Sequence, residues 1–405
     1  MNDPQSIWSA AENAVVAGDV ATLERLLKEH RETFRGSSPH SSWCGCLAPD
    51  YSSANAQSII MREHGFESWR EFMDHAEMLK QKDSSAAQFE VAVDAVVLGD
   101  VVMLQRLLRQ HPGLICARST RNHRSTLLHY VGANGVEGWR QKTPPNAVEV
   151  VEHLLKAGAE IDAMAKMYGG STTLGLVATS VHPLLAGVQN ALMNILLDHG
   201  AAMDHPQGAG NGQGIVNGCL ANGRPGAAEF LANSGALLDL EGAAGVGRLE
   251  TVRRFFNEDG SLRANATPAQ LKSGFQWACE YGRTGVVAFL LRNGIEVGEM
   301  HRGQTGLHWA AYGGHFDIVK LLLELKPPIN SEDETWCNTP LDWALHGWAN
   351  PPAEAKGPRY DEVVNLLVAA GSILKPKWMS DEKVSADARM LAALRGGLHD
   401  QASSA

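Results

Sequence analysis

The chain has 405 residues, of which 44% are hydrophobic and 20% charged, so it is long enough to bury a large core. Its formal net charge is −10 and it has no long basic run, which argues against a nucleic-acid-binding surface. No run of about 18 apolar residues is present to span a membrane. Residues 1–5 lack the basic and apolar pattern of a signal peptide. Because the six cysteines are scattered rather than arranged as a disulfide framework, we expect reduced thiols and a cytoplasmic location.

The N-terminal part of the chain predicts helices separated by an irregular segment. Residues 10–30 have the pattern of two helices broken by a Gly-Asp pair, and the same pattern returns at residues 93–111. Between these two copies, residues 37–53 are rich in Ser, Gly and Pro and predict a loop. Residues 54–79 predict two helices around the sequence His-Gly-Phe-Glu-Ser-Trp, and residues 80–87 predict a short linker.

From residue 121 onward the chain predicts a series of helix pairs. Each pair opens with a capping residue or a weaker equivalent and closes with glycine, which adopts the left-handed C-cap conformation without strain. The predicted openings are Thr126, Thr172, Gly214, Leu240, Ser273, Thr305 and Thr339. Pro376 ends the last pair, and residues 385–394 predict a final helix that covers the end of the stack.

The most complete unit lies at residues 304–323. Thr305 can cap a first helix, in which Leu307, Ala310 and Ala311 form an apolar stripe. Two glycines then separate it from a second apolar helix. Thr339 restarts the pattern 34 residues later with a proline at the first helical position. Two such helices cannot bury their apolar surface alone, so the unit requires stacked copies.

This unit resembles an ankyrin repeat, with its Thr-Pro-Leu-His-x-Ala-Ala signature and period of about 33 residues. The resemblance implies an all-α solenoid of stacked helix–turn–helix units with short turns between repeats. The Gly-Phe-x-Ser-Trp element at residues 65–69 resembles one found ahead of bacterial ankyrin arrays, which indicates a bacterial source. We therefore predict a helical N-terminal region at 1–87, the solenoid at 88–375, and a capping helix and tail at 376–405.

Two units carry eleven-residue insertions between their helices. Each inserted loop has a tryptophan at or near its start, Trp139 or Trp348, followed by a proline pair. A long loop on a repeat protein often binds a partner. A tolerated surface insertion is the alternative, since lengthening a loop costs little free energy.

The resemblance also places a partner-binding surface. In an ankyrin unit, the turn before the signature threonine and the end of the first helix face the concave side, and the helical core does not fix the identity of the residues there. Glu280 is one such residue. The predicted partner-binding residues are Lys272, Tyr281, His301, Arg302, Gln304, Tyr312, Thr335, Trp336, Asn338 and His346.

Three other features are explained by the structure of the repeats. The aromatic series Tyr130, Trp277, Trp309 and Trp343 occupies one repeat position and is predicted to pack between neighbouring repeats. The signature histidines, His129 and His308, are predicted to hydrogen-bond backbone rather than to act as catalysts. The glycine-rich residues 208–214 resemble a phosphate-binding loop, but they lack a preceding buried strand and a following Lys-Ser or Lys-Thr.

Cys44 and Cys46, near His40, form a single Cys-x-Cys pair. A structural zinc site needs a second pair of ligands, which this stretch lacks. The sequence therefore predicts a protein-interaction module or scaffold that binds a protein partner, without catalysis, metal or cofactor. The alternative is a metal-binding or enzyme-associated protein that acts through residues 37–80. A third possibility is a structural spacer without a partner.

Overall fold

The computed structural model describes residues 64–133, 135–205 and 214–402, together with residues 10, 22, 25, 26 and 29. Within these ranges the chain is helical and has only isolated β-bridges, which confirms the predicted all-α class. None of the helices in the described part is both long and apolar enough to cross a bilayer. The chain divides into two compact units, residues 1–218 and 219–405, and each is described by itself.

The first unit consists of short helices joined by tight turns. Its α-helices are α1 (Trp69–Lys80), α2 (Ser85–Leu98), α3 (Val101–Gln110), α4 (Ala147–Lys156), α5 (Thr173–Thr179), α6 (Val181–Leu185) and α7 (Gln189–Asp198). The next helix, α8 (Ile215–Ala221), contains the division at residue 218, so Cys219, Leu220 and Ala221 belong to the second unit. Single 3₁₀ turns lie at Pro112–Cys116, Leu127–Gly132, Gly138–Arg140 and Met167–Gly169. The predicted linker at 80–87 is shorter than expected, because α1 continues to Lys80 and α2 begins at Ser85.

Side-chain caps set where these helices begin. Ser68 Oγ accepts from the Glu71 N–H at the start of α1, and Ser84 and Asp100 do the same for α2 and α3. At Thr126 the predicted first helix is instead a 3₁₀ turn, in which Thr126 and His129 form a reciprocal capping box.

The second unit repeats helix pairs more regularly. Its helices are α9 (Pro225–Asn233), α10 (Leu240–Gly245), α11 (Leu249–Arg253), α12 (Pro268–Glu280), α13 (Thr284–Arg292), α14 (Gly306–Tyr312), α15 (Phe316–Glu324), α16 (Pro340–Ala349), α17 (Tyr360–Ala369), α18 (Pro376–Met379), α19 (Glu382–Ala386) and α20 (Ala388–Ala402). One continuous apolar core runs from Leu240 to Leu394. In α15, Ile318, Val319 and Leu322 are fully buried in this core, whereas Leu323 is half-buried.

Two further boundaries differ from the prediction. The helix assigned to begin at Ser273 begins at Pro268, because Thr267 and Gln270 form a capping box and Pro268 occupies the first helical position. The final helix predicted over 385–394 is divided at Asp387, whose carboxylate accepts from the backbone N–H groups of Arg389 and Met390 and so caps α20.

Candidate functional site

The turn before α16 is organised by one buried carboxylate. Asp333 is 1% exposed, and its Oδ1 accepts from the backbone N–H groups of Thr335 and Trp336 at 2.9 and 2.7 Å. Its Oδ2 accepts from the Asn338 N–H at 3.1 Å and from the Trp343 indole N–H at 3.0 Å. Burial alone would raise the pKa of Asp333, but these hydrogen bonds hold the pKa below its usual range. The carboxylate therefore fixes the conformation of the whole turn.

This turn presents a tryptophan to solvent. Trp336 is 61% exposed, which is high for so large an apolar side chain. Its ring lies edge-on to Trp343, with centroids 5.8 Å apart, and Trp343 in turn lies edge-on to Trp309 at 5.0 Å. Edge-to-face packing is the preferred geometry of aromatic pairs. Trp343 is 8% exposed and its indole N–H is bonded to Asp333, so it provides a fixed, buried surface on which the Trp336 ring packs.

The aromatic contacts continue toward the ends of the first helices. Tyr312 lies edge-on to Trp343 with centroids 6.0 Å apart, and it stacks on His346 at 6.2 Å. We call the set Trp309, Tyr312, Trp336, Trp343 and His346 the aromatic surface. It is built from two successive repeats of the second unit, those that begin at Thr305 and Thr339.

A carboxyl group adjoins the aromatic surface. Glu280 ends α12 and Tyr312 ends α14, so the two residues are at equivalent places in successive units. Burial raises the pKa of Glu280 to about 8. Burial, together with the charge of Glu280, also raises the pKa of Tyr312.

The ten predicted partner-binding residues differ in exposure. Arg302, Thr335, Trp336 and His346 are exposed, and Lys272, Tyr281, His301, Tyr312 and Asn338 are half-buried. Gln304 is 7% exposed; its backbone pairs with that of His301, and its main-chain carbonyl accepts from the Gln276 side chain. Its side chain therefore offers little contact area to a partner.

The structure brings three of the predicted residues together and ties others to the chain itself. On the aromatic surface, Trp336 and Tyr312 both lie edge-on to Trp343, and His346 stacks on Tyr312. Lys272 instead forms an ion pair with Glu299. The Tyr281 hydroxyl donates to the Leu220 carbonyl, and the His301 ring bonds Ser273 at 3.0 Å.

Sequence reasoning assigned Trp309 and Trp343 to the core and missed their link to the surface. Tyr130, Trp277 and Trp343 are buried as predicted, whereas Trp309 is half-buried. The signal was available in part: Trp309 and Trp343 are 34 residues apart, and Trp336 lies just before the second of them.

The signature histidines have the structural role that was predicted. The Nδ1 of His129 and of His308 accepts from the backbone N–H of the capping threonine, at 3.1 Å in each case. The proton of a neutral ring then lies on Nε2, which donates to the Ala163 carbonyl from His129 and to the Ser331 and Asn338 carbonyls from His308. Burial lowers the pKa of His129 to about 4 and also lowers the pKa of His308.

The first inserted loop folds into a buried charge network, which comprises Glu90, Arg121, Tyr130, Glu137 and Arg140. Glu137 is 0% exposed; its carboxylate lies 2.9 Å from Arg140 Nη1 and accepts from the Tyr130 hydroxyl at 2.7 Å. Glu90 bridges the two guanidinium groups, at 2.5 Å from Arg121 and 2.6 Å from Arg140. Burial alone would raise the pKa of Glu137, but Arg121, the hydrogen bond from His123 and Arg140 hold it well below its usual range.

The same loop fastens the Gly-Phe-x-Ser-Trp element to the unit. Trp139 packs against His64, with ring centroids 4.3 Å apart and ring planes tilted by 40°, and both Arg121 and Arg140 lie within 5.6 Å of its ring centroid. Arg121 Nε also donates to the His64 carbonyl at 2.9 Å. Neither prediction for this loop, a binding feature or a tolerated insertion, included such a structural role.

The second inserted loop, residues 350–359, reaches back along its own unit. Glu354 accepts from the Gly226 N–H at 2.8 Å, at the start of α9, and Lys356 pairs with Glu229 of the same helix at 3.5 Å. At the other end of the loop, the Arg359 N–H donates to the Gly314 carbonyl at 3.0 Å. The loop therefore joins helix pairs that are far apart in sequence.

Three further predicted features lie wholly or largely outside the described residues. These are the helix pair at 10–30, the pair Cys44 and Cys46 with the rest of 37–63, and residues 208–213 of the glycine-rich loop. Among the residues that are described, no group of three His, Cys, Asp or Glu side chains is placed to share a metal ion. A groove of about 340 Å³ lies beside α3 and α4, where the polar groups of Gln105 and His153 are 3.1 Å apart and bond each other.

Comparison with known proteins finds ankyrin repeats in one part of the chain, residues 240–377. A family model described as ankyrin repeats (3 copies) matches residues 240–335 and 275–377. The E3 ubiquitin-protein ligase hecd-1 of Caenorhabditis elegans is 30% identical over 131 residues, which are 32% of this chain and 4% of that protein. The chain therefore covers a small fraction of this relative.

Proposed function

Because residues 240–377 are ankyrin repeats, which are protein-interaction modules, we propose that this chain binds a protein partner on the aromatic surface and performs no catalysis. We also propose that the protein is a scaffold, that it is located in the cytoplasm and that it comes from a bacterium. The division into 1–87, 88–375 and 376–405 is proposed as well. The aromatic surface is the observation that supports the proposal most strongly.

The exposure of Trp336 carries the argument. Burying a large aromatic side chain yields more free energy than burying almost any other residue, and tryptophan, tyrosine and arginine dominate the energetics of interfaces. Trp336 is 61% exposed although a neighbouring aromatic core is available to it. Asp333 fixes the turn through backbone hydrogen bonds, so the side chain of Trp336 is not needed to hold the fold.

Arg302 occupies, in the preceding repeat, the position that Trp336 occupies in its own repeat. Arg302 and Trp336 each lie three residues before the capping threonine, and both side chains are exposed. Arg302 has a φ of 53°, a left-handed conformation that a side chain rarely adopts without a constraint. The two residues therefore project from corresponding turns, and we propose that both contact the partner.

The proposal is tested with a partner recovered by affinity purification and mass spectrometry from the native organism. We expect Trp336→Ala and Arg302→Ala each to weaken binding of the purified partner by more than about 1 kcal/mol. The melting temperature should change little. Ile373→Ala is a matched control, because Ile373 is a 62% exposed apolar residue of the same unit outside the aromatic surface. If both variants bind as tightly as wild type, the contact surface lies elsewhere.

A further inference from the structure

The turns that carry the proposed contact surface are acidic. Residues 295–304 and 329–338 contain five carboxylates and one arginine: Glu296, Glu299, Glu332, Asp333, Glu334 and Arg302. Asp333 is occupied by its hydrogen bonds within the turn, and Glu299 is paired with Lys272. Glu332 and Glu334 are exposed, and within the described residues neither forms an ion pair. The charge left on this surface is therefore negative beside Trp336.

Trp336 and the two exposed carboxylates, Glu332 and Glu334, lie on one turn. Consecutive Cα atoms are 3.8 Å apart, so the Cα atoms of Glu334 and Trp336 are at most about 7.6 Å apart. The Glu334 N–H donates to the Gly303 carbonyl at 3.0 Å, which anchors the turn to the preceding one. In the described part of the chain no cationic side chain lies over the Trp336 ring, whereas Arg121 and Arg140 lie over Trp139.

Arg302 does not neutralise this charge. Its guanidinium lies close enough to the Glu241 carboxyl of the preceding unit to act on it electrostatically. No ion pair joins Arg302 to Glu334 within the described residues, although Glu334 packs on Gly303, next to Arg302.

We propose that the partner presents an arginine side chain, which stacks on the exposed face of Trp336 and pairs with Glu332 or Glu334. A guanidinium group combines both contacts, because it is planar enough to stack on an indole and its donors match a carboxylate. Tryptophan is the best aromatic acceptor of a cation. This inference rests on the proposed function and specifies the chemistry that the surface recognises.

Two peptides that differ in one group test it. The first is acetyl-Gly-Ser-Gly-Arg-Gly-Ser amide, and the second has citrulline, which is uncharged and nearly the same shape, in place of arginine. Binding to the full chain is followed from the indole N–H signals by NMR, with the Trp336 signal identified from Trp336→Phe. We expect the arginine peptide to bind about tenfold more tightly than the citrulline peptide, a difference of about 1.4 kcal/mol.

The variants separate the ring from the carboxylates. Trp336→Ala should abolish binding of the arginine peptide, and the double variant Glu332→Gln, Glu334→Gln should remove most of the preference for arginine. Glu258→Gln with Glu324→Gln is the matched control, since both glutamates are exposed residues of the same unit outside these turns. The control pair should bind as wild type does.

Three results would overturn the inference: equal binding of the two peptides, full binding by Trp336→Ala, or no binding of either peptide at roughly 10 mM. The native partner then shows which proposal has failed. If Trp336→Ala weakens the native complex while the peptides show no preference for arginine, the surface is right and its proposed chemistry is wrong. If the native complex is unaffected as well, the proposed function has failed with it.

Discussion

Glu137→Gln tests whether the buried charge network holds the first inserted loop in place. The substitution keeps the shape of the side chain but removes its charge and converts one acceptor oxygen into a donor. Oε1 lies 2.9 Å from His123 Nε2 and 2.7 Å from the Tyr130 hydroxyl, and Oε2 lies 2.9 Å from Arg140 Nη1. Whichever oxygen is replaced, the new amide N–H groups face other donors.

The expected cost follows from these contacts. Hydrogen bonds to a charged group each contribute about 1.5–3 kcal/mol, and breaking a buried ion pair costs about 3–5 kcal/mol. Glu90 stays beside both guanidinium groups, and Asp94 stays 2.7 Å from Arg140, so part of the positive charge remains compensated. We therefore expect Glu137→Gln to lower the free energy of unfolding by about 3–5 kcal/mol rather than by the sum of the separate bonds.

Hydrogen exchange of the α2 backbone and urea unfolding measure the loss. Glu160→Gln is the control, because that carboxylate is 73% exposed and its contact with Arg118 is 3.9 Å long; it should cost less than about 0.5 kcal/mol. The pKa of Glu137 is lowered in the folded chain, so its contribution is present above the unfolded pKa of about 4.3 and lost as the pH falls below it. A cost below about 1 kcal/mol near neutral pH would refute this account of the loop.

Three further outcomes are expected. Leu322→Ala should cost about 2–5 kcal/mol, with loosened hydrogen exchange centred on residues 273–375; equal loosening of residues 10–110 would contradict it. Burial lowers the pKa of His75 and His129 to about 4, whereas a histidine of the unfolded chain has a pKa of about 6.5, so below that pH the unfolded chain binds more protons than the folded chain. The free energy of unfolding at about pH 5.5 should therefore be lower by about 1.4 kcal/mol per histidine. Urea midpoints that do not move between neutral pH and about pH 5.5 would exclude this. All six cysteines should titrate as thiols without stoichiometric zinc, and one equivalent of zinc that disappears in Cys44→Ala would favour the alternative function.

Local signals predicted the helix pairs. The capping residues Thr172, Thr305 and Thr339 mark helix starts in the structure, because a cap and the glycine that ends a helix act within one turn of chain. Thr267 was missed although it has the full capping-box sequence, since the aromatic position at Trp277 drew the unit boundary to Ser273. At that boundary the capping box at Thr267, rather than the repeat period, decides where the helix begins.

The long-range contacts could not be read in the same way. Glu137, Arg140 and Glu90 form one network, yet Glu90 and Arg140 are 50 residues apart and no spacing rule joins them. Of the aromatic surface, Tyr312, Trp336 and His346 were predicted as contact residues from their place in the repeat. The contacts of Tyr312 and Trp336 with Trp343, and of His346 with Tyr312, depend on ring orientations, which the sequence does not encode locally.

The loop at residues 350–359 alters how this repeat array should come apart. In a linear array each unit touches only its neighbours, so unfolding can proceed from an end, one unit at a time. Here Glu354 is bonded to Gly226, 128 residues earlier in the chain, and Arg359 to Gly314. Peeling α16 and α17 from the stack must therefore also break contacts at α9, so the units between them should unfold together as one cooperative block. The loop also raises the mean sequence separation of the contacts, and folding of this block should be slower than that of a strictly linear array.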